Sequence, residues 1–232
     1  MKINYNGEIV SEISISPLSQ GFNYGNGFFT TIKVINGNPE NMNLHLKRIV
    51  SSLIFFNFDL DISNFEKDIV NLVNCNNLSL ARVKIIIFMD IEKPSYLITC
   101  STLNIENNPV DLKISEFIRG NEPIYSFKSI NYMTNFTKPY IIFKDHRDRV
   151  LETGFANIFC EAKDIVYTPP LTLPILPGTY REALIKKGFV NGKKIVEKDI
   201  YVDDLYGFDR LFLTNSIRGI QYVRSVNNHL FK

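Results

Sequence analysis

FKSINYM, residues 127–133, sets a single lysine directly after an aromatic residue and three residues before an Asn-Tyr pair. Lys128 is either one more solvated cation or the reactive amine of an active site. A lysine that attacks a carbonyl at neutral pH must first lose its proton, so it needs burial, a nearby cation or an electron-poor ring to depress its pKa. Phe127 and an extended context supply the apolar side of that requirement. Immediately upstream, RGNEPIYS (119–126) has the Gly, Pro and charge of a connecting segment. The expected organisation is a smaller N-terminal α/β domain over residues 1–118, a linker over 119–127 and a C-terminal domain over 128–232.

Outward from that stretch, the N-terminal part mixes strands and helices. Asn6-Gly7 between KI and IV predicts a hairpin with a tight primed turn. GFFTTIKVI (27–35) reads as a strand ended by a second Asn-Gly. From Asn43, Leu46, Ile49, Val50, Leu53 and Ile54 fall at helical spacing, which leaves His45, Arg48 and Ser52 on a polar edge. Ser63-x-x-Glu66 predicts a capping box opening a second helix, with Phe65, Ile69, Leu72 and Val73 as its buried stripe. ARVKIIIF (81–88), SYLITCS (95–101) and VDLKISEF (110–117) read as strands that complete this first layer. In the second half, strands are expected at 156–162, 164–169, 193–200 and 210–216, with one helix at TYREALIKK (179–187). YIIFKDHRDRV (140–150) reads as one strand running straight into Glu152.

Composition narrows the function. With 232 residues, 45% hydrophobic content and a net charge of +2, the chain can bury a sizeable core but has no broad basic face for nucleic acid or anionic membrane, so a small-molecule substrate is expected. The three cysteines form no C-x-x-C or Cys/His ligand spacing, and the three histidines are scattered; neither a disulfide framework nor a metal site is implied, and a reduced cytoplasm fits. No signal peptide or bilayer-spanning run is read. There is no phosphate-binding G-x-x-x-x-G-K-[ST] loop and no G-x-G-x-x-G opening a helix, and Gly25-x-Gly27 precedes a strand and reads as a turn.

Four stretches remain that carry chemistry together: HLKR (45–48), FKSINYM (127–133), LETGFANIF (151–159) with ILPGTYREAL (175–184), and LFLTNSIRGI (211–220). Each has a bland reading alone, since charged side chains mostly sit in water. In this order, and with QGFNYGNGFFTTIKVINGNP ahead of them, they resemble the fold-type IV pyridoxal-phosphate-dependent family of branched-chain and D-amino-acid aminotransferases and aminodeoxychorismate lyase. The resemblance implies a two-domain α/β (α+β) fold, an N-terminal helix-and-sheet layer and a larger barrel-like sheet domain, with the cofactor between them and a homodimer as the assembly.

It also implies roles. Lys128, in K-S-I-N, matches the lysine that carries pyridoxal 5′-phosphate covalently. Glu152 matches the acid facing the pyridine nitrogen, where a carboxylate keeps that nitrogen protonated and makes the ring an electron sink. Arg48 matches the arginine that holds the phosphate; Thr179, Tyr180, Ser216 and Ile217 match the segments that donate hydrogens to it, and Gly178 just ahead of a helix suits an anion. Tyr132 matches a tyrosine bonded to the cofactor's phenolic oxygen. Arg218, Tyr24 and Phe29 are the substrate-side candidates, Arg218 for a carboxylate.

Within the family, F-T-T (29–31) and T-N-S-I-R-G (214–219) most resemble the lyase, which implies conversion of 4-amino-4-deoxychorismate to 4-aminobenzoate and pyruvate for folate biosynthesis. Lys128 would then remove the ring proton, and Thr31 would assist the leaving group. An aminotransferase acting on branched-chain or D-amino acids shares Lys128, Arg48 and Glu152 and is the alternative; an inactive binding or assembly homologue is the third. The chain has Met89-Asp90 where the family strand commonly ends in Arg-Gly, and only 24 residues (152 − 128) from Lys128 to Glu152.

Overall fold

The computed structural model describes every residue except Tyr132, Thr134, Asn135, Phe136 and Lys232; the Tyr132 expectation therefore lies outside the described residues. The chain forms two compact units, residues 1–104 with 128–131, and residues 105–127 with 132–232.

The first unit is a six-stranded antiparallel sheet in the order β2-β1-β6-β5-β3-β4, made of β1 (Ile3–Tyr5), β2 (Glu8–Val10), β3 (Gly27–Ile35), β4 (Asn38–Pro39), β5 (Leu80–Met89) and β6 (Pro94–Thr102). Asn6 and Gly7 take positive φ, 50° and 93°, and close the predicted hairpin. Along β3 the side chains alternate as a strand requires: Phe28, Thr30, Ile32 and Val34 are buried, and Phe29, Thr31 and Lys33 are half-buried. Helices α2 (Met42–Phe56) and α3 (Phe65–Cys75) contribute to the buried face, whose core includes Phe28, Ile32, Ile49, Leu53, Ile69, Leu72, Ile85 and Ile98. A short helix, α1 (Gln20–Tyr24), precedes β3.

Two helix expectations need correction. His45 and Ser52, placed on a polar edge by spacing, are buried, whereas Val50 is exposed and Ile54 is 77% exposed. Thr30 on β3 supplies a polar partner for His45, so the buried side of α2 follows a hydrogen bond as well as hydrophobicity. The capping box does not form either. Asn64 is the N-cap and makes no side-chain cap bond, while the backbone and hydroxyl of Ser63 both bond to Asp61 (2.9 and 3.0 Å). The stripe of α3 is as expected.

The second unit is a nine-stranded mixed sheet with the path β11-β12-β10-β9-β13-β14-β7-β8 and β15 paired to β14. Its strands are β7 (Val110–Ile118), β8 (Ile141–Lys144), β9 (Asn157–Ala162), β10 (Ile165–Thr168), β11 (Phe189–Val190), β12 (Lys193–Glu197), β13 (Arg210–Asn215), β14 (Gly219–Val226) and β15 (His229–Leu230), with α4 (Thr179–Lys187). The strand at 110–117, expected in the first layer, pairs here in parallel with β14 and β8. The stretch 140–150 is not one strand. After β8 the Asp145 carboxylate accepts the N–H groups of Arg147 and Arg149, Asp148 takes positive φ, and the chain returns antiparallel so that Phe143 N–H donates to the Glu152 carbonyl (2.8 Å) and Leu151 N–H donates to the Phe143 carbonyl (2.9 Å). Bridges from Lys144 to Val150, Arg149 to Tyr201 and Glu152 to Asn157 carry pairing round from β8 toward the residues after β12 and toward β9. That gives the unit its barrel-like character.

Candidate active site

In the first unit, residues 128–131 lie along the start of β3. Phe29 N–H donates to the Lys128 carbonyl (2.8 Å), Ile130 N–H donates to the Gly27 carbonyl (3.0 Å), and Ser129 bridges Phe28. Gly25, with φ 66°, caps α1 and permits this approach, because a Cβ there would stand 3.1 Å from that of Asn131. Lys128 is half-buried and its Nζ lies 4.7 Å from the centre of the Phe29 ring. Lys84, directly across from Thr31 on β5, places its own Nζ 4.3 Å from the same ring, and burial lowers its ammonium pKa. Two lysines thus flank one phenylalanine, with Thr31 on the same half-open face.

Arg48 reaches the opposite face of β3. Its guanidinium donates to the Thr30 hydroxyl, which also bonds His45 Nδ1 at 2.7 Å. Burial first, and then the charges of Arg48 and Lys128, hold the His45 imidazole well below its ordinary 6.5. The structure therefore brings Lys128 to the Phe29 ring, and the charges of Lys128 and Arg48 are both felt at His45, while Arg48 itself meets Thr30 on the other face of β3. Thr30, rather than Thr31, is the threonine that meets Arg48. Tyr24 ends α1 and is exposed.

In the second unit, Glu152 is buried. Its Oε1 accepts from Arg119 Nη1 (2.8 Å), and its Oε2 accepts from Leu176 N–H (3.1 Å) and Asn157 Nδ2 (3.2 Å). Arg119 lies 4.2 Å from the Phe143 ring centre and 5.0 Å from that of Tyr125. The Asn157 amide also donates to the Leu176 carbonyl (2.9 Å), and its oxygen presses on the start of α4: a Cβ on Gly178 would stand 2.0 Å from it. Gly178 is the N-cap of α4, and Thr179 begins the helix, buried. Across the sheet from Asn157 is Thr214, whose buried hydroxyl has no hydrogen-bond partner among the described residues.

The turn after β13 holds the remaining expected residues. The Asn215 side chain accepts the N–H groups of Ile217 (3.0 Å) and Arg218 (2.9 Å), so the Ile217 donor is engaged by the protein's own turn. Tyr180 packs against this turn, its hydroxyl 3.3 Å from where a Gly219 Cβ would stand. Arg218, half-buried, donates to Gln221 Oε1 (3.0 Å) and Tyr140 (3.3 Å). Ser216 lies in the same turn, half-buried.

Sequence reasoning missed Arg119, Lys84, His45, Thr30 and Thr214. Arg119 fell inside a segment read as a linker, where only its place just ahead of the lysine motif could have drawn notice.

Within the second unit, a helix N-terminus cleared by a glycine suits an anion, and close to it lies a buried carboxylate met by three donors; within the first, a lysine lies over an aromatic face. Comparison with known proteins gives the family. The sequence profile described as amino-transferase class IV matches residues 27–226. The chain belongs to the class IV aminotransferase family. A Methanocaldococcus jannaschii protein assigned as a branched-chain-amino-acid aminotransferase is 24% identical over 99% of this chain and 89% of its own length. Aminodeoxychorismate lyase of Bacillus subtilis is 27% identical over 93% of this chain and 83% of its own. In structure, the branched-chain aminotransferase of Thermoproteus uzoniensis superposes with a TM-score of 0.92, covering 100% of this chain and 89% of that one at 20% identity, a likeness of fold. Class IV membership makes the chain an enzyme of that family, and no described helix is long and apolar enough to cross a membrane.

Proposed function

We propose that this chain is a pyridoxal 5′-phosphate-dependent aminotransferase, working as a homodimer on a small amino acid of the branched-chain or D series. The observation that carries the reading is Glu152: a buried carboxylate surrounded by N–H donors is the group needed to hold a proton on a pyridine nitrogen. Pyridoxal phosphate, when bound, supplies an electron-poor ring that takes up the electron pair released at the amine-bearing carbon. The chain's own residues do the rest. Lys128 Nζ holds the cofactor and moves the proton at that carbon. Arg48, the N-terminus of α4 and the hydroxyls of Thr179, Thr214 and Ser216 receive the phosphate. Phe29 offers an apolar wall, and Lys84, Arg218 or both meet a carboxylate. Relatives assigned as branched-chain aminotransferases recur more often than lyases, which favours transfer over elimination.

The lyase forming 4-aminobenzoate from 4-amino-4-deoxychorismate is the second reading, favoured by F-T-T at 29–31 and by Thr31 lying opposite Lys84 on the face of Phe29. Borohydride treatment of the loaded, yellow protein followed by peptide mass mapping tests both: the tag is expected on Lys128 and absent from Lys128→Ala. A tag elsewhere, or a protein that takes up no cofactor, overturns them and leaves the inactive homologue. Amino-group exchange with 2-oxoglutarate then supports the aminotransferase, whereas pyruvate release from aminodeoxychorismate without added keto acid supports the lyase.

A further inference from the structure

Arg119 is a buried cation of the second unit in a stretch that reads, from residue types alone, as a linker. It follows directly on β7 and its neighbour in sequence is Gly120, yet its side chain is almost wholly enclosed, 4% exposed against 6% for Glu152. Four contacts hold it: the Glu152 carboxylate at 2.8 Å, the Pro174 carbonyl at 3.3 Å, and the faces of Phe143 and Tyr125. Its backbone is fixed as well, by donation from Arg119 N–H to the Lys144 carbonyl (2.9 Å) at the end of β8. Burying two charges is costly, and an ion pair of this kind is seldom retained for stability alone. Here the carboxylate is the group on which the proposed chemistry depends.

We propose that Arg119 is a positioning residue for that chemistry: it keeps Glu152 ionised inside the protein and fixes its carboxylate in one orientation, so that the acid is ready for the cofactor's ring nitrogen. The inference rests on the reading of the site under Proposed function. Burial alone would favour the neutral acid, and a neutral carboxyl cannot stabilise a protonated pyridine. Arg119 reverses that preference at Oε1, while Leu176 N–H and Asn157 Nδ2 fix Oε2. The flat guanidinium, clamped by two aromatic rings, cannot follow the carboxylate if it turns, and a lysine in its place would lack both the stacking and the directed donors. The loop that carries it, 119–126, thereby has a function beyond connection.

The test uses Arg119→Met, Arg119→Lys and the double variant Arg119→Met/Glu152→Gln, each as apoprotein and after loading with pyridoxal phosphate. Without its cation, the buried carboxylate of Arg119→Met takes a proton more readily when folded than when unfolded, so its destabilisation is greatest at alkaline pH and shrinks as pH falls. The expected result is a Tm lower than wild type by about 10 °C at pH 8 and by less than half of that at pH 5, with much of the loss restored in the double variant. In the loaded Arg119→Met protein the visible absorbance of the cofactor and the pH at which it titrates shift from wild type, and kcat falls by about 100-fold with little change in KM; Arg119→Lys, if Arg119→Met does not fold, shows the same shifts to a smaller degree. A loss of stability equal at all pH values, unrestored in the double variant and with wild-type cofactor absorbance and titration, overturns the proposal and reduces Arg119 to packing. Wild-type protein that binds no pyridoxal phosphate overturns the function itself, and the apoprotein series still decides separately whether Arg119 holds Glu152 ionised.

Discussion

Folding takes the His45 imidazole out of water, against the Thr30 hydroxyl and within reach of the charges on Arg48 and Lys128. Burial first, and then the charges of Arg48 and Lys128, resist protonation, so the folded pKa is depressed below the 6.5 of a free imidazole. In the unfolded chain His45 takes up a proton as pH drops through that value; in the folded chain it does not until lower pH. The unfolded state therefore binds more protons across this window, and stability contributed by neutral His45 is present above pH 6.5 and lost as pH falls toward the depressed value. His45→Asn can still bond Thr30 but cannot titrate. Its Tm should be lower than wild type at pH 8 by the cost of imperfect packing, and the gap should close or reverse by pH 5. Parallel curves for the two proteins would show that another group sets the acid limb. Arg48 shares the same hydroxyl, so the variant also tests whether the phosphate-binding candidate depends on the histidine for its placement.

At the scale of elements, the start of α4 depends on a residue without a side chain. Gly178 has φ −64°, ψ 132°, a conformation open to any residue, so its necessity is steric: a Cβ would stand 2.0 Å from Asn157 Oδ1. Gly178→Ala should force Asn157 off Glu152 and Leu176, lowering stability by about 2–3 kcal/mol through two disturbed buried hydrogen bonds and local overpacking, and weakening pyridoxal-phosphate uptake. Thermal melting and cofactor titration read the two effects separately; an alanine variant with wild-type values in both would mean the helix shifts freely. The helix itself was legible to the residue, since Pro177-Gly178 and a terminal Gly188 punctuate it. So was β3, by its alternation and its Asn-Gly stop. β14 was not, because its buried side carries Gln221 and Ser225 among the apolar residues and so blurs the alternation. The buried His45 and Ser52 misled the reading of α2 in the same way: a polar residue that finds a partner inside looks, in sequence, like one that faces water. The hairpin at 143–151 escaped notice because Asp145, not a glycine pair, organises its turn.

For the whole molecule, the informative feature is that the chain passes from one unit to the other more often than its order suggests. Residues 105–127 belong with the second unit, 128–131 with the first, and the chain from 132 on with the second again. No local pattern announces this, because strand partners are chosen by surfaces far away in sequence: β7 by β14, and Ile130 by Gly27. The four residues K-S-I-N are thus tied to the N-terminal core through β3, although both of their flanks are not. Hydrogen exchange can measure that tie. Ile85 is fully buried at the centre of the first core, and Ile85→Ala should cost about 2–5 kcal/mol. If each unit opens on its own, the variant's amides in β3, β5 and β6 lose protection while those of β9 and β13 retain theirs. The decisive amide is Ile130, which donates to Gly27. It should lose protection together with β3, and Phe29 N–H, which donates to Lys128, should do the same. Ile130 keeping wild-type protection in the variant would show that the lysine segment is held by its sequence neighbours instead, and its attachment to β3 would have to be abandoned.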